Sequence, residues 1–130
     1  REILLLYKRK HQHYETPGGK VSERDLNSNS NEITPQVLKR AALRELHEEL
    51  GKDIRVDPLE IFVDRHKFTI PDGRKAEVTK FITRYIDGEP EIMEPGVFSH
   101  YKWIPIKDLE KYKISPDLME LTERIKRELL

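Results

Sequence analysis

Three carboxylates stand within the run Arg44-Glu45-Leu46-His47-Glu48-Glu49-Leu50-Gly51. On a helix, residues three and four apart are neighbours, so Glu45, Glu48 and Glu49 share a side, turned away from Leu43, Leu46 and Leu50. Carboxylates gathered in this way repel one another unless a cation neutralises them. Hard divalent ions such as Mg²⁺ take carboxylate and carbonyl oxygens, keep several waters and are commonly shared with substrate phosphates. A Glu-rich helix face taken alone is more often just solvated. Four features weigh against that reading here: Arg44 beside Glu45, the leucine spacing, the terminal Gly51 and the upstream turn Pro17-Gly18-Gly19.

Together these residues resemble the signature of the Nudix hydrolase family. That signature reads Gly, five residues, Glu, seven residues, Arg-Glu, an aliphatic residue, any residue, Glu-Glu, any residue, Gly and an aliphatic residue. Gly19 and the run Arg44 to Gly51 match it, and Pro17-Gly18-Gly19-Lys20-Val21 resembles the usual approach to it. The order strand, turn, loop, helix and later strand with Trp103 is similar to the family over nearly the whole chain. The resemblance implies an α/β (α+β) fold, a Nudix-like α/β/α sandwich with a central mixed sheet. It implies metal-dependent cleavage, with Mg²⁺ or Mn²⁺, of a diphosphate linkage in a nucleoside diphosphate derivative or nucleoside triphosphate. Residue by residue, it carries metal ligation to Glu45, Glu48, Glu49 and the Gly19 carbonyl, and a catalytic role to Arg44, Glu48 and Glu49. A non-catalytic sensing or protein-interaction module on the same fold is the rival reading, and the intact glutamate triad argues against it.

The chain departs from the family pattern in one place. Gly19 and Arg44 lie twenty-five positions apart, eleven more than the signature has. Loops accept insertions at small entropic cost, so turn and helix can still meet. The insertion obscures the signature's first Glu, which in the family supports the Arg. Counting forward from Gly19 reaches Asp25, counting back from Arg44 reaches Gln36, and Glu32 precedes the helix; Glu32 is the choice made from sequence. Lys52 occupies an aliphatic position that Ile54 is expected to fill.

Other residues carry weaker signals. A general base can come from Glu48 or Glu49, or from Glu89, Glu91 or Glu94 ahead of the tryptophan strand. His100 stands where many relatives carry Glu and is a second candidate for base or substrate contact. Lys20, Lys8, Arg9 and Lys10 can flank phosphates, and Tyr14, Phe68 or Tyr101 can stack on a base. For each of these a solvated surface or core role is the commoner outcome, as it is for His11, His13 and His47.

The elements that must position these groups are legible in outline. Glu2 to Lys8 is a short apolar run suited to a buried strand. The Asn/Ser-rich stretch Ser22 to Asn31 has no apolar period and reads as an exposed loop. Thr34 before Pro35 is a helix start, and Gly51 a helix stop. Between them Leu38, Ala42, Leu43, Leu46 and Leu50 are expected to face the core. Leu59 to Ile70 and Ala76 to Ile86 predict two strands joined at Pro71-Asp72-Gly73-Arg74, with Phe62, Phe68 and Phe81 packed between them. Val97 to Ile106 predicts another strand, Lys107 to Lys111 a short helix, and Ser115-Pro116 opens a last helix with Leu118, Leu121, Ile125 and Leu129 in register.

Composition bounds the rest. The 130 residues suit a single domain, 1-130. Lys+Arg and Asp+Glu are equal at 24, so no basic excess points to nucleic acid or an anionic membrane. With no cysteine, disulfides, thiolate metal sites and cysteine nucleophiles are excluded, which fits a cytoplasmic protein. No apolar run is long enough to span a bilayer. The expected partner is a small phosphorylated molecule, a nucleotide derivative, with a homodimer left open. The chain begins at Arg1, and a natural start upstream is expected.

Overall fold

The structure is a computed structural model that describes residues 1–19, 23–26 and 32–130. Contacts group the chain into two compact units. One comprises Arg1–Thr16, Arg65–Val78 and Glu94–Leu130, the other Pro17–Asp64 and Thr79–Met93.

In the first unit the apolar run forms strand β1 (Glu2–Lys8), flanked by β2 (His13–Glu15) and β7 (Phe98–Pro105) in an antiparallel sheet ordered β2-β1-β7. Leu4 faces Trp103, Leu6 faces Tyr101, and Tyr7 lies between Tyr14 and His100. Successive side chains of a strand point to opposite faces, yet neighbours Leu5 and Leu6 are both fully buried. Both faces of β1 are therefore covered at its middle. A 3-10 turn, Ile106–Lys111, leads to α2 (Pro116–Leu129), which buries Leu118, Leu121, Thr122 and Ile125. Leu129, expected in that stripe, is half-buried as the last residue of the helix.

The second unit is built around α1 (Pro35–Leu50), bounded as its sequence predicts. Thr34 Oγ1 accepts from the Val37 amide at 3.2 Å, Pro35 opens the first turn, and Gly51 closes the helix at φ 94°, a conformation glycine adopts freely. The buried stripe is rotated from the expected one. Val37, Ala41, Glu49 and Leu50 are the buried residues, whereas Leu43 is 37% exposed. Short strands β3 (Arg55–Val56) and β6 (Tyr85–Asp87) pair antiparallel in this unit. Ile54 is buried, as expected for the displaced aliphatic position.

Strands β4 (Glu60–Thr69) and β5 (Lys75–Ile82) pair with each other as the turn sequence predicts and contribute residues to both units. The predicted second strand breaks where Asp57 meets it, through its amide on the Arg84 carbonyl and its carbonyl under the Thr83 hydroxyl. Beyond that break the chain continues as β6. Phe62, Phe68 and Phe81 are each half-buried rather than enclosed. The class is mixed α and β, as expected. Among the described residues, however, the paired strands of β1, β2, β3, β6 and β7 run antiparallel, and the parallel contribution is an isolated bridge, Tyr14 to Ile114. Among the described residues no helix is long and apolar enough to cross a membrane.

Candidate functional site

The second unit brings the signature residues together around one guanidinium. Arg44 donates through Nε and Nη2 to the two carboxylate oxygens of Asp25, at 2.8 and 2.9 Å, in a bidentate fork. Its Nη1 bridges Glu45 Oε1 and Glu48 Oε2, both at 2.9 Å. Hydrogen bonding to Asp25 foremost, then to Glu45 and Glu48, raises the Arg44 pKa still further above its ordinary high value, against the opposing pull of burial. Its charge is thus fixed at any working pH.

Asp25 is almost wholly buried at 3% exposed and sits in a 3-10 turn, Glu23–Asp25. The loop expected to be simply exposed therefore turns inward here. Asp25 is the position reached by counting forward from Gly19, and it holds the Arg; Glu32, preferred from sequence, is exposed. The same turn directs Arg24 Nη2 onto Glu48 Oε1. Lys20, Val21, Ser22 and the stretch 27–31 lie outside the described residues, and with them the Lys20 candidate.

Glu49 does not face solvent with its companions. It is 2% exposed, and its Oε1 accepts from the Gly18 amide at 2.9 Å. Gly19 lies against Glu45: a Cβ there would fall 2.5 Å from the Glu45 carboxyl carbon, so this approach needs glycine for space. The Gly18-Gly19 backbone and the helix carboxylates thus form two sides of one site.

The last carbonyls of α1, which a helix leaves unpaired, are taken up by the segment that carries Glu89 and Glu91. The Glu91 amide donates to Leu50 O at 2.9 Å and the Met93 amide to Glu49 O at 3.1 Å. A cleft of about 720 Å³ opens there, lined by Arg24, Arg44, Glu48, Lys52, Glu89 and Glu91 among others. A smaller hollow beside Lys39, Leu43 and Pro58 contains none of these carboxylates. His47 is occupied by the Ile54 carbonyl at 3.1 Å.

A model of the NUDIX domain matches residues 1–125. The chain belongs to the NUDIX family. A MutT NUDIX hydrolase from Burkholderia pseudomallei superposes with a TM-score of 0.73 at 22% identity, covering 95% of this chain and 88% of that one. RenU, a Nudix hydrolase from M. smegmatis, superposes at 0.58 with 15% identity, over 97% of this chain and 73% of that one. These likenesses establish the NUDIX fold. A comparison with curated proteins returns no match.

Within this NUDIX chain the remaining sequence candidates fall in the first unit. Tyr14 Oη and His100 Nε2 are 2.9 Å apart, His100 Nδ1 meets Ser99 Oγ at 2.7 Å, and the Tyr7 ring stacks on His100 at 5.0 Å. His13 meets Glu15 at 3.0 Å, and Lys8 reaches the same carboxylate at 3.7 Å. Arg9 donates to the Pro95 carbonyl, while Glu94 is exposed and its carbonyl closes the turn before β7. Burial lowers the His11 pKa, helped by the charges of His13 and Lys8.

The donor chemistry suits a hard divalent cation. The carboxylates of Asp25, Glu45, Glu48 and Glu49 gather beside the glycine turn, with the guanidiniums of Arg44, Arg24 and Arg40 among their neighbours. All the donors are oxygens. Among the described residues no three such side chains stand preassembled around one point; the carboxylates turn instead to Arg44 and to the Gly18 amide.

Proposed function

We propose that this protein is a metal-dependent hydrolase cleaving a diphosphate linkage in a nucleoside diphosphate derivative or nucleoside triphosphate. The observation that carries the reading is the Arg44 guanidinium held by buried Asp25 and bridging Glu45 to Glu48. Glu45, Glu48 and Glu49, with the Gly19 carbonyl, would hold Mg²⁺ or Mn²⁺. Such an ion withdraws charge from phosphate oxygens and makes a water more acidic.

The chain's own groups do the remaining work. Asp25 fixes Arg44, and Arg44 fixes the directions in which Glu45 and Glu48 present their oxygens. Glu49 ties the helix to Gly18 and so keeps the turn against the carboxylates. Glu48, the most exposed of the three glutamates and the one lining the cleft, takes the proton of the attacking water. The water oxygen bonds to one phosphorus, the bridging P–O bond breaks, and its electron pair leaves with the second phosphate. Glu89 and Glu91 border the same cleft.

Phosphate-product release from a panel of nucleoside triphosphates, nucleotide sugars and dinucleoside polyphosphates, with Mg²⁺ and with chelator, tests the reading. We expect Mg²⁺-dependent turnover of at least one member. Ligand binding without turnover of any would instead favour a sensing module.

A further inference from the structure

The turn Glu23–Asp25 supplies two neighbouring residues to the site, and they are not equivalent. Asp25 is buried and grips Arg44 through both oxygens. Arg24 is 66% exposed, lines the cleft and pairs with one oxygen of Glu48, whose other oxygen is already held by Arg44. Each carboxylate oxygen can take more than one partner, but a guanidinium on both oxygens of Glu48 competes with a cation for them. Arg44 is locked at four points by Asp25, Glu45 and Glu48. Arg24 is open to solvent, and its ion pair lies at the surface, where such pairs are weakly held. It is the partner that can leave.

We propose that Arg24 is a substrate-positioning residue that exchanges between Glu48 and a phosphate of the substrate. Arg24 pairs with Glu48 Oε1 and lines the cleft. With a cation held on Glu48, the Arg24 guanidinium, a fork matched to phosphate oxygens, would turn into that cleft to hold the diphosphate. The inference rests on the diphosphate-hydrolase reading and deepens it.

Exchange has a signature that a structural role lacks: removing the guanidinium should move the two ligands in opposite directions. With Mn²⁺ alone, followed by its electron paramagnetic resonance signal, Arg24→Gln should bind about two- to fivefold more tightly than wild type, the range expected for losing one exposed ion pair as competitor. Methylenediphosphonate, titrated in saturating Mg²⁺, should bind Arg24→Gln about tenfold more weakly. Arg24→Lys, a point charge without the fork, should fall between. Melting curves should coincide, because the side chain is exposed. Unchanged affinities for both probes, or weakening of both together, would overturn the proposal. If Glu45→Gln abolishes Mn²⁺ binding while Arg24→Gln leaves it untouched, the metal site stands and the exchange is refuted. If neither wild type nor Arg24→Gln binds Mn²⁺, both readings fall.

Discussion

Helices α1 and α2 begin alike and end up different. Each opens on a hydroxyl residue followed by proline, Thr34-Pro35 and Ser115-Pro116. In α2 the buried side chains are Leu118, Leu121, Thr122 and Ile125, and its charged residues lie outside that stripe. Thr122 satisfies its hydroxyl locally on the Leu118 carbonyl, at 3.0 Å. This is the pattern of a helix selected for packing alone. In α1 the buried set includes Glu49, a large apolar residue, Leu43, is left 37% exposed, and Arg44 is pulled inward by three carboxylates. A helix that departs from apolar periodicity in this way depends on polar supports, and those supports should be correspondingly sensitive.

The largest expected difference lies at Asp25. Asp25→Ala strips the buried partner from Arg44 and should destabilise the protein by about 3–5 kcal/mol, read in denaturant melts. Asp25→Glu, which keeps a carboxylate, should lose much less, and Glu32→Ala very little. Equal effects of Asp25→Ala and Glu32→Ala would remove the distinction between buried support and exposed loop.

Gly19→Ala should separate activity from stability. The new methyl meets the flexible end of Glu45 rather than backbone, so the fold adjusts by moving that carboxylate. Turnover should fall on the order of a hundredfold, the scale of a displacement of about an ångström in a catalytic group, with little change in melting temperature. A matched loss of stability would mean the glycine serves the fold instead.

The caps offer a smaller test of the two helices. Thr34→Ala should cost about 1 kcal/mol, since its hydroxyl holds the Val37 amide. Ser115→Ala should cost little or stabilise, because the Ser115 hydroxyl is buried, makes no cap bond and has no hydrogen-bond partner among the described residues. The smallest effect concerns the hairpin turn. Bonds from the Arg74 side chain and amide lower the pKa of Asp72. A group whose folded pKa is depressed adds stability above its ordinary value and loses it as pH falls through the folded value. Wild type and Asp72→Asn should therefore differ slightly at neutral pH and converge in acid.

Most of α1 was legible because its signals are local: a cap, a proline, a terminal glycine and charges at helical spacing. Asp25 was legible in part. The count from Gly19 reached it, but the polar stretch around it suggested exposure, and no local pattern shows that Arg44 will draw one carboxylate out of that stretch. Leu43 was misplaced because the stripe through Leu38, Ala42 and Leu46 looks as good in sequence as the observed one through Val37 and Ala41; the buried set includes Glu49, which meets the Gly18 amide. Strands β2 and β6, of three residues each, are too short for alternation to register.

Whether the carboxylates that Arg44 gathers carry out metal-dependent hydrolysis is the central question. The direct measurement is phosphate-product release with Mg²⁺ by wild type and by Glu48→Gln, with both melting profiles recorded. We predict Mg²⁺-dependent turnover in wild type and a loss of at least about a hundredfold in Glu48→Gln at unchanged melting temperature. Near-wild-type, Mg²⁺-dependent turnover by a folded Glu48→Gln would contradict that role for the helix carboxylates.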